Sequence, residues 1–392
     1  MKICVISPNF PPKRCGIGDY TYFLSKELVK KGNEVFILTS GSSASNTMDE
    51  RHLKVLRSVK GWGIKHLFHL LKLVKKINPQ IVHIQYCPHL YHRRGLTFTI
   101  NVFALFVRIF TKYKIITTFH ELYIPFGVSL KKILGGIWQR VMAVLIALGS
   151  HRIIVTCNLW KKLLKKLIPC KRIEVIPVGS NIPVVPLSQE KRKELRKKLS
   201  DYEDIFLLGA FGTLHPSRDY KLILKALKRL IAEGKKIKFI WIGDPGSDMA
   251  LEKIKNDIEA LELTHLFVFT KYCIPEEVSK FLQTLDIFVA PFTDGVSIRR
   301  TTLISALAHR IPVIGLKGPS TDEIFKHGEN IFLISQGDAQ ELSKAIDTLL
   351  LNSSRREAIA KGGEELYRKF FDWAIIAENV TAVYKEILDR SS

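Results

Sequence analysis

The sequence predicts an α/β protein with two doubly wound, Rossmann-like domains, and three observations support this class. Apolar, β-branched runs recur along the 392 residues with helix-like patterns between them. Near-continuous apolar strands that alternate with helices indicate parallel sheets buried on both faces. A segment rich in proline and then in charge, 183–193, interrupts the series. The composition, 46% apolar and 25% charged, is typical of a globular protein long enough for two domains.

Six predicted strands lie on each side of this break. In the first half they are Ile3–Ser7, Val35–Thr39, Ile81–Gln85, Lys114–Thr118, Ile153–Thr156 and Ile173–Pro177. In the second half they are Phe206–Phe211, Lys238–Ile242, Leu266–Thr270, Asp286–Ala290, Ile311–Gly315 and Ile331–Ile334. We therefore expect a first domain at residues 1–182 and a second from residue 183. In such folds ligands bind at the carboxyl ends of the strands.

The positive charge is concentrated in the first half. Residues 1–180 carry 29 Lys and Arg against 7 Asp and Glu, a net charge of +22, whereas residues 181–392 carry 31 against 30. Such an asymmetry indicates that the first domain meets an anionic partner, either nucleic acid or the anionic inner leaflet of a membrane. No RRM, KH or zinc-finger pattern is present, so we expect no nucleic acid partner.

The remaining bulk features favour a cytoplasmic protein. The six cysteines contain no Cys-x-x-Cys pair and are typical of reduced thiols. The run Cys87-Pro-His-Leu-Tyr-His92 matches no common zinc spacing, so no metal site is expected. The N-terminus enters a strand directly, which predicts no secretion signal. The most apolar window considered, Gly95–Val107, is too short and too polar for a membrane span.

The segment 294–309 is the strongest candidate binding element. It lies between two predicted strands and contains a glycine turn, Gly295, followed by the predicted start of a helix. This arrangement points free backbone N–H groups at an anion. Arg299 and Arg300 lie where the helix begins, a position that the helix dipole disfavours for cations. A bound diphosphate would offset that cost, since guanidinium groups bind phosphate oxygens in pairs.

A second glycine pattern, Gly16-Ile-Gly18, follows the first predicted strand. It nearly matches the dinucleotide fingerprint, but Thr21 replaces the third glycine and no acid ends the second strand. A nicotinamide cofactor is therefore not expected. The loop remains suited to close approach by a phosphate or sugar.

Taken together, these segments resemble the GT-B glycosyltransferases of family 4. The resemblance covers nearly the whole chain. It rests on the opening strand with residues 11–18 and on the runs 81–85, 117–121, 175–181, 211–218, 242–246, 312–314 and 371–378. It implies a GT-B fold, a second domain at 183–370, and a final helix at 371–392 that packs back on the first domain.

The resemblance also implies a function. It predicts a retaining sugar transfer from a UDP- or GDP-linked sugar to a glycan or lipid-linked acceptor, with no cofactor and no metal. Cationic side chains would neutralise the diphosphate as it leaves. The expected catalytic residues are His120, Arg218 and Arg299. The expected donor-binding residues are Gly16, Gly18, Gly212, Thr213, Arg218, Tyr272, Asp294, Gly295, Val296, Ser297, Arg299, Arg300 and Thr301.

The sequence departs from the family pattern at two places. Thr213 stands where the family has an arginine, and Arg218 stands where it has a lysine. Ser297 and Ser305 stand where it has two glutamates. The run Asp-Gly-Val-Ser-x-Arg-Arg resembles a known branch, in which the tandem arginines would replace the missing cation and Asp294 would bind a sugar hydroxyl. Because adjacent helical side chains diverge by about 100°, we expect one of the two arginines to bind phosphate and the other to fix a carboxylate.

Two basic amphipathic segments, Trp62–Lys76 and Leu159–Ile168, lie in the first domain. Packing on the sheet explains both, but each can also present a basic edge to lipid. We therefore expect a peripheral position on the inner membrane face, with binding that weakens in salt. Other GT-B activities (an epimerase or a phosphorylase), a pseudoenzyme and a basic binding protein remain open at this point.

Overall fold

The computed structural model describes residues 1–41, 49–50, 52–123, 129–200, 204–244 and 246–389. The chain divides into two compact units. The first comprises residues 1–178 together with 373–392, and the second comprises residues 179–372.

The described part of the first unit contains an eight-stranded sheet with the order β3-β4-β2-β1-β5-β6-β7-β8, in which only β3 runs antiparallel to its neighbour. Its strands are β1 (Lys2–Ile6), β2 (Glu34–Ser40), β3 (Asp49–Glu50), β4 (Leu53–Val59), β5 (Ile81–Tyr86), β6 (Lys114–Phe119), β7 (Arg152–Val155) and β8 (Ile173–Val175). Its helices up to the boundary are α1 (Gly16–Lys30), α2 (Leu67–Ile77), α3 (Pro88–Tyr91), α4 (Thr99–Phe110), α5 (Leu130–Gly149) and α6 (Asn158–Leu167).

The described part of the second unit contains a parallel six-stranded sheet with the order β11-β10-β9-β12-β13-β14. Its strands are β9 (Phe206–Phe211), β10 (Ile237–Ile242), β11 (Phe267–Phe269), β12 (Ile287–Ala290), β13 (Val313–Leu316) and β14 (Phe332–Ile334). Its helices are α7 (Gln189–Leu199), α8 (Tyr220–Ala232), α9 (Asp248–Glu259), α10 (Pro275–Thr284), α11 (Thr301–Ala308), α12 (Ala339–Leu351) and α13 (Ser353–Phe370).

The last helix, α14 (Trp373–Asp389), returns to the first unit. The Trp373 ring stacks on Phe23 with centroids 5.5 Å apart and meets the edge of Tyr20 at 5.3 Å. Further along the helix, the buried Tyr384 hydroxyl lies 2.6 Å from Nδ1 of His83 on β5. The two ends of the chain therefore share one core.

The fold class predicted from the sequence is confirmed, and each of the twelve predicted strands overlaps an observed one. Strands β3 and β4 were not predicted. In the case of β4, the apolar pattern is interrupted by charge. Its charged side chains Lys54 and Arg57 interrupt the apolar run, because the strand lies toward the edge of the sheet, beyond β2. The unit boundaries fall at Val178 and Asp372.

The two basic helices differ in detail from their prediction. Helix α2 begins at Leu67, and two apolar side chains of the segment Trp62–Lys76, Ile64 and Phe68, are 55% and 77% exposed rather than packed on the sheet. The second basic segment is α6, whose one fully buried side chain is Leu164.

The most apolar long helix is not the predicted window 95–107. Among the described residues, α5 alone has the length and apolar composition to cross a membrane, a test that core helices also pass.

Candidate active site

The candidate donor site of the second unit is built at the carboxyl ends of the neighbouring strands β9 and β12. The segments that follow them are joined by an antiparallel bridge between Arg218 and Phe292. The Asp219 N–H donates to the Pro291 carbonyl at 2.8 Å, and the Thr293 N–H donates to the Ser217 carbonyl at 2.9 Å. Two loops that are distant in sequence thereby become one rigid surface.

Arg218 and Arg300 meet at one aromatic ring on this surface. Their guanidinium carbons lie 5.2 and 4.5 Å from the centroid of Phe292. Arg218 also donates to the Phe211 carbonyl and, at 3.2 Å, to the Thr302 hydroxyl. Burial, and then the charge of Arg300, lower the pKa of Arg218 to about 10. Arg218 is thus still charged at neutral pH, in a place that would favour a neutralising anion.

Both tandem arginines bind the same carboxylate. Arg299 donates to Oδ2 of Asp294 at 2.6 Å, and Arg300 donates to Oδ1. Burial alone would raise the pKa of Asp294, but the positive charges of Arg300 and Arg299 together lower it by more. Its pKa therefore lies below the ordinary value. One arginine was expected to fix a carboxylate, and both do so; their side chains converge rather than diverge because both precede α11, which begins at Thr301. Phosphate binding by either arginine stays a prediction. With Arg218, the group carries three positive charges and one negative charge.

Helix α11 begins beside these cations. Its N-cap residue is Arg300, and no side chain of the described residues caps it. The first-turn N–H groups of such a helix are available to an anion. Thr301, a predicted donor-binding residue, is the first residue of this turn.

Two glycines make the local backbone possible. Gly212 follows β9 with a φ of +105°, and a Cβ placed there would lie 2.8 Å from Nη2 of Arg218. Gly295 has a φ of +97°, and a Cβ there would lie 2.4 Å from the Thr321 hydroxyl oxygen. Both predicted positions therefore require glycine for backbone conformation and for close packing.

The two serines that replace the family's glutamates are fully buried. Ser297 donates to Oδ2 of Asp322 at 2.8 Å. Ser305 donates to the Thr301 carbonyl at 2.9 Å, and its hydroxyl lies 3.0 Å from that of Ser180. Val296, predicted as donor-binding, is also fully buried. The structure thus places these side chains in hydrogen bonds or packing inside the second unit rather than on its surface.

Two further predicted residues lie on exposed loops at the same edge of the sheet. Thr213 is exposed and follows Gly212. Tyr272 is 48% exposed in the loop after β11. This loop is tied to the end of β10, since the Gly243 N–H donates to the Thr270 hydroxyl at 3.0 Å.

His120, the predicted catalytic histidine of the first unit, lies directly after β6 and is 9% exposed. Its Nε2 is 2.8 Å from Oε1 of Gln85, and its carbonyl accepts a 3.1 Å hydrogen bond from the Trp160 indole. Tyr20 meets the imidazole edge-on at 4.7 Å. Burial lowers the pKa of His120 to about 3, so the ring is neutral at physiological pH.

A chain of buried polar side chains lies behind His120. Gln85 reaches towards Nε2 of His83 at 3.4 Å, and that nitrogen is 2.7 Å from the Thr118 hydroxyl. Burial, with a smaller contribution from His120, lowers the pKa of His83 to about 3 as well. No role was predicted for the polar residues of this strand. Alternating polar residues in a fully buried strand were the available signal.

Gly16 and Gly18 lie in the first turn of α1 rather than in a loop before it. Gly16 has open space where a side chain would be, so packing does not require glycine there. A Cβ on Gly18 would lie 3.1 Å from the Asn9 carbonyl oxygen, so packing against that loop explains this glycine. The N-cap residue Cys15 provides no side-chain hydrogen bond.

Phe292 is a further residue of the site that the sequence pattern did not identify. A single phenylalanine after an apolar strand has no distinctive pattern, and its role depends on two arginines that are far from each other in sequence.

The fold and the second sheet define an α/β protein with a cluster of three arginines at the carboxyl ends of its strands. Comparison with known families assigns the class. Residues 15–182 match the family described as "Glycosyltransferase Family 4", and residues 191–366 match "Glycosyl transferases group 1". The chain therefore belongs to the GT-B glycosyltransferases of family 4, and it is a nucleotide-sugar-dependent enzyme.

Individual relatives are distant. The chain is 21% identical to the alpha-monoglucosyldiacylglycerol synthase of Streptococcus pneumoniae, over 81% of this chain and 72% of that protein. It is 24% identical to the capsular polysaccharide biosynthesis glycosyltransferase CapM of Staphylococcus aureus, over 62% and 60% of the two chains.

Solved structures agree in fold. A sucrose-phosphate synthase from Thermosynechococcus elongatus gives a TM-score of 0.80 at 17% identity, over 100% of both chains. Anabaena HepE in complex with UDP and glucose gives a TM-score of 0.75 at 17% identity, over 98% of this chain and 100% of that one.

Proposed function

We propose that this enzyme transfers a sugar from a UDP- or GDP-linked donor to a lipid-linked or polysaccharide acceptor at the inner membrane surface, with retention of configuration and without a metal ion. The observation that carries the proposal is the cluster of Arg218, Arg299 and Arg300 beside the uncapped start of α11. Distant relatives named as a glycolipid synthase and a capsule glycosyltransferase support the choice of acceptor.

The proposed reaction breaks the bond between the sugar C1 and the diphosphate oxygen. The acceptor hydroxyl oxygen forms the new bond to C1 on the same face, and its proton passes to the leaving phosphate oxygen. The products are a nucleoside diphosphate and the glycosylated acceptor. Negative charge grows on the diphosphate as the bond breaks, so fixed cations aimed at it lower the barrier.

His120 has a restricted part in this scheme. Because burial keeps the imidazole neutral, it offers a hydrogen bond to the sugar rather than a charge or a titrating proton. Gln85 holds Nε2, which fixes the ring orientation. No side chain is assigned as a nucleophile.

The anomeric configuration of the product, determined by NMR in the presence of EDTA, tests retention and metal independence together.

The donor site is tested first by calorimetric titration with UDP, GDP, ADP and CMP. We expect one diphosphate, UDP or GDP, to bind in preference. Arg218→Ala and Arg299→Ala should each weaken its binding at least about tenfold, since hydrogen bonds to charged groups contribute about 1.5–3 kcal/mol.

Arg310→Ala is the matched control. Arg310 lies past the opposite end of α11, exposed and paired with Glu357 and Glu364. Its removal should leave the affinity unchanged. Equal losses in all three variants, or no binding of any nucleotide by the wild type, would contradict the proposed site.

A further inference from the structure

Helix α5 exposes an apolar stripe that the fold does not cover. Leu130, Leu134, Ile137, Trp138 and Val141 are 71%, 57%, 47%, 39% and 53% exposed. Their spacing of three and four residues places them on one face of the helix. Soluble surfaces seldom carry contiguous apolar groups of this size without a partner.

The opposite face of α5 belongs to the core of the first unit. Met142, Ala143 and Ile146 are buried, and the Asn101 amide donates to the Met142 carbonyl at 2.8 Å. The helix is therefore apolar on both sides, which accounts for its apparent fitness as a membrane span. Because its inner face packs on α4, it fits a position along a surface rather than across a bilayer.

A second segment extends the stripe. Leu96 and Phe98 are 41% and 43% exposed. The Phe98 ring lies 6.3 Å from that of Trp138, and the Trp138 indole donates to the Thr97 carbonyl at 3.0 Å. Trp138 thus joins the loop before α4 to the exposed face of α5. We call these seven exposed side chains the α5 face: Leu96, Phe98, Leu130, Leu134, Ile137, Trp138 and Val141.

The margin of the α5 face is cationic. His92, Arg93 and Arg94, together with Leu96, line a cavity of about 660 Å³. Lys131 and Lys132 are exposed on the first turn of α5. In the sequence between Arg51 and Arg172 there is one acidic residue, Glu121. Exposed apolar groups with an aromatic ring and a purely basic margin match the chemistry of a lipid headgroup region.

We propose that the α5 face is the surface by which this protein docks on a bilayer that contains anionic phospholipids. The apolar stripe enters the headgroup boundary, and Arg93, Arg94, Lys131 and Lys132 contact lipid phosphates. This inference rests on the proposed function, in which the acceptor is carried at a membrane. It places the contact on α5 and on the loop before α4, rather than on the basic helices α2 and α6 that the sequence suggested.

The test measures flotation of two double variants of the full chain with lipid vesicles. One set of vesicles contains phosphatidylcholine alone, and the other also contains about 30% of the anionic lipid phosphatidylglycerol. Leu134→Glu with Ile137→Glu places two carboxylates in the α5 face. Ile64→Glu with Phe68→Glu places two carboxylates at comparably exposed positions in and beside α2. Circular dichroism establishes that each variant is folded.

We expect the α5 variant to lose at least about tenfold in partitioning to anionic vesicles and the α2 variant to lose less than about twofold. Arg93→Ala with Arg94→Ala should weaken binding to the anionic vesicles and leave weak binding to neutral ones unchanged. The intrinsic fluorescence should shift to the blue on binding, and Trp138→Phe should reduce that shift.

Several outcomes would overturn the inference: equal losses in both double variants, a larger loss in the α2 variant, or no vesicle binding by the wild type. Sedimentation equilibrium tests whether the α5 face instead binds a second copy of this chain. If the α5 variant converts a dimer to a monomer without changing vesicle binding, the face belongs to a second copy of the chain. Binding of nucleoside diphosphate, measured without vesicles, reports on the proposed function separately.

Discussion

At the scale of single residues, the charge of Arg218 is held in a position that disfavours it. It is partly buried, it lies close to Arg300, and its pKa is lowered to about 10 by burial and then by that neighbour. Two cations around one phenylalanine ring destabilise each other unless an anion is shared. Asp294 supplies one negative charge to Arg299 and Arg300. The remaining positive charge is what the proposed diphosphate would neutralise.

The buried histidines make a prediction about acid stability. His83 and His120 both have a pKa lowered to about 3, chiefly by burial, and therefore remain neutral in the folded state. The unfolded chain takes up protons at these residues below about pH 6.5, so stability is complete above that pH and is lost as pH falls from 6.5 towards 3. In this window each histidine lowers the free energy of unfolding by up to about 1.4 kcal/mol for each unit by which the pH falls.

Urea unfolding at pH 7, 6 and 5 measures this effect. In a Trp241→Phe background, the remaining tryptophans lie in the first unit and their fluorescence reports on it. We expect the urea midpoint to fall steadily with pH, and His83→Gln to reduce the slope. His215→Gln, at an exposed residue of the second unit, should not alter it. A midpoint that is constant from pH 7 to 5 would show that the two rings are not held neutral.

At the scale of elements, the turn after β9 decides where Arg218 points. The turn has a positive φ at Gly212, and the arginine side chain folds back over that residue. The Trp241 indole donates to the Gly212 carbonyl at 2.7 Å, which anchors the turn to β10. Backbone conformation and side-chain placement are thus linked at one residue.

Gly212→Ala and Gly234→Ala separate these two effects. Both residues have a positive φ, +105° and +76°, so both alanines incur about 1–2 kcal/mol of backbone strain. An added Cβ meets Nη2 of Arg218 at 2.8 Å in the first case and nothing within 4 Å in the second. We expect similar losses of thermal stability, but at least a tenfold loss of nucleoside-diphosphate affinity in Gly212→Ala alone (about 1.4 kcal/mol per tenfold change). Equal affinities in the two variants would remove the turn from the donor site.

The sequence was sufficient for most elements and for part of the site. Apolar runs identified twelve strands because parallel strands buried on both faces are nearly continuous in hydrophobicity. Strand β4 was not identified in this way because Lys54 and Arg57 interrupt its apolar run. The arginines were found from their position after a strand, but their common carboxylate, Asp294, and common ring, Phe292, depend on side-chain geometry. The exposed stripe of α5 could not be predicted, since an apolar residue type alone does not show which face of a helix the fold buries.

At the scale of the whole molecule, the first unit depends on both ends of the chain. Residues 1–178 form it together with α14, whose buried side chains include Trp373, Ile376, Val380 and Tyr384. The second unit, residues 179–372, is continuous in sequence. The two units should therefore respond very differently to truncation at the C-terminus.

Removal of residues 373–392 should unfold the first unit and leave the second folded. Each large apolar side chain of α14 contributes about 1.5–3 kcal/mol by its burial, and the several lost together approach the about 5–15 kcal/mol that stabilises a typical domain. The deletion also leaves Tyr20 and His83 without Trp373 and Tyr384. Limited proteolysis should yield a resistant fragment that spans residues 179–372 and retains nucleoside-diphosphate binding. Deletion of residues 390–392 is the control and should give no such fragment. If peptides of β5 and β6 in the truncated chain still resist proteolysis, the first unit is stable without its last helix and the prediction is contradicted.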